Sequence, residues 1–380
     1  MSTIRTLLLV LSSLLILTAC QEQPVAKETI ESSAKLKSLE IKHAQLFEID
    51  YYTDYKKITI QNPWQASVYW EYYIYKKDMT PYNKGRQTHM SKASASAVLS
   101  STQIGIFSEL AIENQIKFID QIQYVYNPKV RAAFENKSLS EIGEGDLLNV
   151  EKIILNQPVS IFTSGWEQVN PNYQKIIDQN IPVAYSLDWQ EKTPLARAEW
   201  IKFVAAFYNL EEKATEIFEQ IEKKYLELKA LAQSSESKQS ILHGASWSGT
   251  WYIAGGQSFM AQFYKDINAN YLWSNDSSTA SLPLSFEAVY LKAKDADVWF
   301  APTQSASLAE FMNDDPRFLE FKAIKSGQVY SYMILKEGEQ AKEFWETGIV
   351  NPQWVLEDLI AILHPDILPE HQLRYYVRLK

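Results

Sequence analysis

The amino-acid sequence predicts an α/β protein with two similar lobes of mostly parallel sheet, joined through a helical connector. Strands and helices alternate on both sides of the middle of the chain, and one short pattern occurs once on each side. The middle itself is a helical stretch from Thr193 to Ala232. Alternation of this kind favours a parallel sheet with helices on its faces. The alternative is one large domain in which the central helix is simply buried.

The central stretch predicts two helices in series. Pro194 suits the first helical position, and Thr193 is a suitable N-cap. Between Leu195 and Tyr208 apolar residues lie almost all round the helix, so most of its faces should be covered. From Ala214 onward the apolar residues form one narrow stripe, as on a surface helix. About 15 residues of helix span roughly 22 Å, which is enough to link two lobes as a rigid strut.

Composition indicates a globular protein that does not bind nucleic acid. The 380 residues are 46% hydrophobic, which supports a large core and two lobes. The net charge is −9 and basic runs are absent, which argues against a nucleic-acid partner. Eleven tryptophans and twenty-two tyrosines are many, and aromatic side chains are favoured at binding surfaces as well as in cores.

Residues 1–20 have the features of a secretory signal. Arg5 precedes an apolar run that is too short to span a bilayer, and small residues follow it. The segment Leu17–Cys20 resembles a bacterial lipoprotein cleavage box, which implies that Cys20 is lipidated and becomes the new N-terminus. A chance cysteine in an ordinary signal is the alternative. No second cysteine exists to form a disulfide. Residues 21–44 are polar, which predicts a tether between the lipid and the fold.

The remaining elements follow in order, beginning near Gln45. Residues 46–61 and 66–77 alternate and are rich in aromatic and β-branched residues, which predicts antiparallel strands. The βα alternation comes next and includes a predicted strand over residues 122–128. It resumes after the central helices and ends in a helix that Asn351 is expected to cap. The predicted boundaries are an N-terminal lobe over 45–192, a connecting helix over 193–209 and a C-terminal lobe over 210–380.

A short internal repeat lies on the two sides of the connector. In each copy a capping residue opens a helix, a glutamate lies in its first turn, and a buried strand follows. The helix macrodipole favours a glutamate there, so simple helix stabilisation is an alternative explanation, and so is a chance match. The equivalent pairs are Asn149 and Ser285, Glu151 and Glu287, and Leu155 and Leu291.

The loops that follow the predicted strands indicate a binding site. Ligands of open α/β sheets bind beyond the carboxyl ends of the strands. Tryptophans and hydroxyl groups at such ends suit a bulky, partly apolar ligand. A single tryptophan is more often a packing residue, but four at one kind of position favour a site. The predicted ligand-binding residues are Thr102, Trp166, Trp189, Trp247, Trp251 and Thr303.

Signals for catalysis are weak. Ser246 lies in a segment similar to a nucleophile elbow, but the second glycine of G-x-S-x-G is missing. Phosphate-loop and dinucleotide fingerprints are absent. His243 could be a metal ligand at a strand end, or simply a buried core histidine. We therefore expect no enzyme, no cofactor and no protein metal site. Direct metal-ion transport and a lipid-anchored hydrolase are the alternatives.

Four segments together resemble one family of transport proteins. They are residues 194–207, the two glutamate-led repeats, residues 246–256 and residues 343–376. These segments resemble the ABC-transporter substrate-binding lipoproteins of the iron-siderophore and cobalamin class, the class III periplasmic binding proteins. The resemblance covers roughly residues 50 to 378.

The resemblance implies two Rossmann-like lobes, a single rigid interdomain helix and a ligand in the cleft between the lobes. It implies that Glu151 and Glu287 meet arginines of a dimeric ABC permease, and that lipid on Cys20 anchors a monomer to a membrane, facing the periplasm or extracytoplasmic space. The implied ligand is an iron-siderophore, haem or a corrinoid. The N-terminal lobe contains only Arg86 and Arg131, so a carboxylate-rich siderophore is not favoured.

Overall fold

An antiparallel sheet begins the part of the chain that the structure describes. This structure is a computed structural model, and it describes residues 34–235, 238–335 and 341–380. Cys20, the predicted signal and most of the predicted tether lie outside the described residues. The sheet has the strand order β1-β2-β3-β4-β6-β5, and only the β4–β6 pair is parallel. Its strands are β1 (Lys37–Ser38), β2 (Phe47–Tyr51), β3 (Tyr55–Gln61), β4 (Val68–Tyr75), β5 (Tyr82–Lys84) and β6 (Gln87–Met90).

Two buried carboxylates hold the chain between β1 and β2 of this sheet. Glu199 accepts hydrogen bonds from the backbone N–H groups of residues 42–44 at 2.7–2.9 Å. Glu191 accepts those of Gln45 and Leu46 at about 3.0 Å, and also the indole N–H of Trp200. Ordered structure therefore starts before Gln45, and the prediction that residues up to 44 form a free tether is wrong at its end. The sequence near residues 42–46 does not indicate these contacts, because both carboxylates lie about 150 residues further along the chain.

A five-stranded parallel sheet follows, with the order β11-β10-β7-β8-β9. We call it, with its helices, the first lobe. Its strands are β7 (Ser96–Val98), β8 (Ile116–Ile119), β9 (Ser140–Glu141), β10 (Ile161–Ser164) and β11 (Val183–Ser186). Its helices are α1 (Ser101–Glu109), α2 (Pro128–Glu135), α3 (Val150–Asn156) and α4 (Pro171–Ile177).

The strand predicted over residues 122–128 is wrong. The strand is β8, which precedes it, and Ile122–Tyr124 form a turn of 3₁₀-helix. The carbonyl groups of Ile122 and Val125 accept hydrogen bonds from Nη1 of Arg131, each at 2.8 Å, instead of joining a strand ladder. The two apolar runs have similar composition, so only the tertiary partners distinguish them.

The middle of the chain is helical, as predicted, but it contains three helices instead of the predicted two: α5 (Pro194–Ala198), α6 (Ile201–Tyr208) and α7 (Glu211–Gln233). The hydroxyl of Thr193 caps α5 by accepting from the N–H of Ala196 at 3.1 Å. All eight residues of α6 are buried, because the antiparallel sheet covers one side of it and α1 and α7 cover others. The all-round apolar pattern therefore predicted its burial correctly.

Helix α7 has partners at both ends. Near its start, Glu211 pairs with Lys56 of the antiparallel sheet, and Nζ of Lys213 donates to the carbonyl of Leu110 at 2.7 Å. Near its end, Lys229 pairs with Asp266 at 2.8 Å. Its 23 residues span about 34 Å at 1.5 Å per residue. It is thus a continuous rod that links the elements before it to those after it.

The third sheet has parallel strand pairs at its centre and antiparallel pairs at its edges. With its helices it forms the second lobe. The order is β15-β13-β12-β16-β17-β18, with β14 also paired to β12. Its strands are β12 (Ser240–Trp247), β13 (Thr250–Ala254), β14 (Asn270–Tyr271), β15 (Ser281–Leu284), β16 (Val298–Phe300), β17 (Val329–Ser331) and β18 (Val377–Arg378). Its helices are α8 (Phe259–Asp266), α9 (Phe286–Ala293), α10 (Leu308–Asp314), α11 (Lys322–Lys325) and α12 (Pro352–Leu363).

Strand β12 changes partners at Gly244. Residues 241–243 pair in parallel with β16, whereas residues 244–247 pair antiparallel with β13. Gly244 has φ +143°, and a Cβ there would lie 2.3 Å from the carbonyl oxygen of Tyr252. Only glycine fits this switch. It turns the end of β12 into a hairpin that projects beyond the parallel sheet.

The two lobes also contact each other directly. A π-helical segment, Phe344–Gly348, packs on α1 so closely that a Cβ on Gly105 would lie 1.8 Å from the carbonyl oxygen of Glu346. The carboxylate of Glu346 accepts from the N–H of Tyr126 at 2.7 Å. Asn351 stands at the start of α12, but its side chain does not cap that helix. Its amide instead donates to Glu109 of α1 at 2.8 Å.

The predicted fold class is confirmed: the protein is α/β, with two Rossmann-like lobes built on parallel strands. Among the helices of the described ranges, none combines the length and the apolar character needed to cross a membrane.

Candidate functional site

Each lobe has a cavity at the carboxyl ends of its parallel strands, and the larger of this pair lies in the second lobe. Its volume is about 1080 Å³. The ends of β12, β16 and β17 contribute His243, Thr303 and Tyr332, and Trp247 stands on the projecting hairpin. Trp247 is 74% exposed, so its indole is available to a ligand. This is the position at which α/β sheets bind ligands.

His243 gives this cavity a neutral, oriented imidazole. Its side chain is buried, and Nδ1 lies 2.5 Å from the hydroxyl of Tyr264 on α8. Burial lowers the pKa of His243 to about 4, so the ring is neutral at physiological pH. Nε2 has no hydrogen-bond partner in the described part of the chain. A neutral imidazole held in this way can coordinate a metal centre of a bound chelate or donate a hydrogen bond to it.

The smaller cavity, of about 340 Å³, lies at the strand ends of the first lobe. It is bordered by the start of α1, by the loop after β8 and by Trp345 from the second lobe. The hydroxyl of Thr102 donates to the backbone carbonyl of Trp345 at 3.1 Å. Each lobe therefore contributes residues to the lining of this cavity.

Two carboxyl groups line the smaller cavity. Burial raises the pKa of Asp120, and the nearby charge of Glu141 raises it further. Burial also raises the pKa of Glu144, an effect that the hydrogen bond from Thr163 at 2.8 Å opposes and the charge of Asp120 reinforces. The carboxylates thus lie in an environment that disfavours negative charge.

The two cavities meet at an aromatic pair. Tyr332 lines the larger cavity and Trp345 lines the smaller one, and their ring centroids lie 5.7 Å apart in edge-to-face geometry. Phe344 stacks on Tyr332 at 4.4 Å and supports the pair from behind.

Three of the predicted ligand-binding residues line these cavities: Thr102 borders the smaller one, whereas Trp247 and Thr303 border the larger. Trp166 and Trp189 line neither cavity. They form a separate surface cluster, with ring centroids 4.7 Å apart, and Trp189 donates to the carbonyl of Gly165. Trp166 is 57% exposed and keeps a free face.

Trp251 is not at the surface, and the prediction that it binds ligand is contradicted by its position. Its side chain is fully buried and stacks on Trp299 at 5.3 Å and on Phe321 at 5.9 Å. The cause is the two-residue alternation of β13, which turns Trp251 and Ile253 into the core and Tyr252 outward. Trp251 instead supports the cavity through Phe318, a lining residue at 5.7 Å.

Sequence reasoning missed Asp120, Glu144, Tyr332 and Trp345. Asp120 and Tyr332 each follow a parallel strand, so the strand-end rule could have found them. Trp345 lies on a π-helical segment that reaches the cavity only because it packs on α1. No local pattern signals such a placement.

The two glutamates that are predicted to dock a permease lie where the repeat predicts. Glu151 and Glu287 occupy the first turns of α3 and α9, which Asn149 and Ser285 cap through their side chains. Both glutamates are exposed. Each helix is followed by a buried parallel strand, β10 or β16, as the repeat requires.

Ser246 does not have the geometry of a nucleophile elbow. Ser246 lies within β12, not on a strand-to-helix turn, and His243 bonds to Tyr264 instead of to a serine. Within residues 34–235, 238–335 and 341–380, no group of three or more His, Cys, Asp or Glu side chains is arranged to hold a metal ion.

Comparisons with known proteins give the same architecture. An uncharacterised lipoprotein of Methanocaldococcus jannaschii is 28% identical over 294 residues, which is 74% of this chain and 67% of the relative. The periplasmic heme-binding protein HutB of Vibrio cholerae matches with a TM-score of 0.55 at 16% identity, covering 70% of this chain and 99% of that one. The iron uptake ABC transporter substrate-binding protein PiaA of Streptococcus pneumoniae matches with a TM-score of 0.51 at 18% identity, covering 73% and 94%.

Residues 97–333 match the sequence profile of one family, described as periplasmic binding protein. The match begins in β7 and ends just after β17, so it takes in both parallel sheets except β18, together with the helices between them. With its two Rossmann-like lobes linked by a long helix, this chain belongs to the periplasmic binding protein family and has the class III fold.

Proposed function

We propose that this protein is the lipid-anchored substrate-binding component of an ABC importer, which captures an iron chelate, haem or a corrinoid between its lobes. The observation that carries the proposal is the meeting of two strand-end cavities at Tyr332 and Trp345, one residue from each cavity wall. The names of the similar proteins support it, because one binds heme and another belongs to an iron uptake ABC transporter.

The size and chemistry of the larger cavity suit such ligands. Its volume of about 1080 Å³ lies just above the roughly 300–1,000 Å³ of ordinary ligand pockets. Aromatic rings, hydroxyl groups and one neutral imidazole line it. This combination suits a bulky chelate or macrocycle that carries its own metal.

Delivery requires a permease, and Glu151 and Glu287 are the residues that we assign to docking. In this proposal the lobe boundaries are those predicted from the sequence, 45–192 and 210–380, so that each lobe carries one glutamate. An exposed ion pair contributes only about 0.2–1 kcal/mol. The two glutamates therefore orient the docked complex more than they hold it together.

Anchoring is assigned to Cys20, in agreement with the lipoprotein description of the relative from Methanocaldococcus jannaschii. The protein then faces the periplasm or extracytoplasmic space as a monomer. Lipid labelling of the intact chain, lost in Cys20→Ser, tests this part. Labelling that persists in the variant would refute it.

The binding function is tested by native mass spectrometry of protein purified from its own host, followed by tryptophan-fluorescence titration with ferric chelates, haem and cobalamin. We expect a co-purified adduct and saturable binding of one of these ligands. Trp345→Ala should weaken binding at least tenfold. Trp166→Ala is the matched control, because Trp166 is also exposed but lines neither cavity. Absence of any saturable response would refute the proposal.

A further inference from the structure

The charges that line the two cavities all have the same sign. Asp120 and Glu144 border the smaller cavity, and Glu310 and Asp314 border the larger. Among the described lining residues of both cavities there is neither a lysine nor an arginine. An anionic ligand would therefore lose its hydration without gaining a cationic partner, which is costly in a partly buried site.

The acidic groups of the smaller cavity are not neutralised by the protein around them. The side chain of Asp120 makes no hydrogen bond or ion pair with the described residues. Glu144 accepts only the hydroxyl of Thr163, a neutral donor, in the same part of the chain. Both carboxyl groups are partly buried, and nearby negative charge raises both pKa values further: that of Glu141 acts on Asp120, and that of Asp120 acts on Glu144.

Arg131 lies close to the smaller cavity but is not among the residues that line it. It donates to the backbone carbonyls of Ile122 and Val125, on the loop that borders the smaller cavity. These carbonyl bonds hold its head group against that loop, and its charge also acts on Glu346. Arg131 therefore positions the wall and does not offer its charge to a ligand.

The larger cavity adds a second observation that points to a ligand. His243 is about 95% buried, and its free Nε2 belongs to a side chain that lines the cavity. Because its pKa is about 4, the imidazole supplies no positive charge to offset Glu310 and Asp314. The polar groups that a ligand would meet in this lobe are neutral or negative.

From these observations we infer that the ligand of the cleft carries a net positive charge, as a cationic metal chelate or corrinoid does. This inference rests on the proposed function, and it excludes haem and carboxylate-rich siderophores as the preferred cargo. The cation occupies the region of Asp120 and Glu144, while the bulky apolar body of the ligand fills the larger cavity beside Tyr332. Among the ligands that are small enough for the larger cavity, charge therefore determines which of them bind most tightly.

The test uses three ferric chelates of one linear trihydroxamate, which differ only at a terminal amine. The free amine gives a monocation, acetylation gives a neutral chelate, and succinylation gives a monoanion. Aquocobalamin and cyanocobalamin form a second pair, cationic and neutral at mildly acidic pH, and haem is the anionic macrocycle. We expect the cationic chelate or corrinoid to bind roughly tenfold more tightly than its neutral counterpart. Binding of the monoanion should be weaker still.

Variants locate the charge effect. The double variant Asp120→Asn, Glu144→Gln keeps the shape of the smaller cavity, and it should reduce the preference between cation and anion to about threefold or less. Glu227→Gln is the matched control, because it removes one negative charge from the exposed face of α7, outside both cavities. The control should retain the full preference. Circular dichroism establishes that each variant is folded before it is titrated.

The possible results test the charge inference and the proposed binding function separately. A preference for the cationic members that the double variant loses supports the inference. Equal or tighter binding of the succinylated chelate or of haem overturns the inference and leaves the proposed function in place. If none of the six ligands binds, the proposed function fails and the inference fails with it.

Discussion

Helices α3 and α9 occupy equivalent places in the two lobes and carry the same surface. Each has a glutamate in its first turn, Glu151 or Glu287, and a leucine four residues later. Leu155 is 85% exposed and Leu291 is 79% exposed, although leucine is usually buried. Two copies of one acidic and apolar surface fit a partner that presents the same receptor twice, as a dimeric permease does.

The surroundings of the two glutamates differ. Glu151 makes no ion pair with any residue in the part of the chain that the structure describes. Glu287 lies 3.7 Å from the guanidinium of Arg317, which also pairs with Asp315 at 2.7 Å and covers the ring of Phe286. If the two glutamates dock permease arginines as proposed, such an arginine would compete with Arg317 at Glu287 and with no ion-pair partner at Glu151 among the described residues.

The cavities differ more than the helices do. That of the first lobe is small and acidic, whereas that of the second is about three times larger, is lined by several aromatic rings and is bordered by Glu310 and Asp314. The lobes therefore share the helix surface that a symmetric permease would contact. They differ in the cavities, which an asymmetric ligand would contact. The predictions below test this division, beginning with the support of the larger cavity.

The largest expected effect is on the aromatic core behind the larger cavity. Trp251→Ala should lower the free energy of unfolding by about 3–5 kcal/mol, because it removes a fully buried ring that stacks on Trp299 and Phe321. Trp247→Ala is the matched control on the same hairpin and should change stability by less than about 0.5 kcal/mol, since its ring is exposed. Urea unfolding measures both. Equal losses in the two variants would contradict the burial difference.

The second effect concerns the contact between the lobes and depends on pH. Burial raises the pKa of Glu346 from its ordinary value to about 7, against the hydrogen bonds from Tyr126 and Asn127, which lower it. The folded state therefore holds this proton where the unfolded chain has released it. The free energy of unfolding should fall as pH rises from about 4.5 through about 7.

Glu346→Gln removes this dependence, because the amide stays neutral and can still accept from Tyr126. Above pH 7 the variant should be more stable than the parent by roughly 3 kcal/mol, and below pH 4.5 the two should be similar. Urea unfolding across this pH range measures the difference, with Glu227→Gln as the control. A difference between parent and Glu346→Gln that does not change with pH would show that Glu346 does not titrate in this window.

The third effect separates α3 from α9. Glu151→Arg should reduce uptake by a reconstituted transporter roughly tenfold, because attraction to a permease arginine becomes repulsion. Glu287→Arg should reduce it less, since Arg317 already weakens the field at that site. The double reversal should abolish uptake and leave ligand binding unchanged. Uptake that survives the double reversal would refute the docking assignment.

The smallest effect is a gain. Arg317→Ser should free Glu287 and increase uptake at limiting protein by about twofold to threefold, in keeping with the small energy of an exposed ion pair. The same substitution combined with Glu287→Gln should give no gain. If Arg317→Ser changes uptake equally with and without Glu287, Arg317 acts through something other than that carboxylate.

Much of the scaffold could be predicted because its signals are local. The cap, glutamate and exposed leucine of α3 and α9, the buried surface of α6 and the strand ends at Thr102 and Thr303 follow from helical and strand periodicity. The site was harder, because it depends on contacts between distant segments. Trp251 and Trp247 lie four residues apart in similar sequence, and only the register of the hairpin, set at Gly244, sends one to the core.

Trp345 shows the same limit more strongly. It reaches the smaller cavity because Gly105 lets the π-helical segment approach α1, a contact across about 240 residues. Asp120 follows β8, but the strand predicted from the sequence begins six residues too late, so the end of β8 is not identified. When a strand is predicted a few residues away from its true position, the ligand-facing residue at its end is therefore not identified.

The most direct measurement of the central claim is hydrogen exchange of the backbone with and without the ammonium-bearing ferric trihydroxamate. If the ligand bridges the lobes, protection appears together at residues 99–104 and 120–125 in the first lobe and at residues 243–247, 302–305 and 332–333 in the second. Protection confined to one lobe, or found only around Trp166 and Trp189, would contradict a cleft shared between the two cavities.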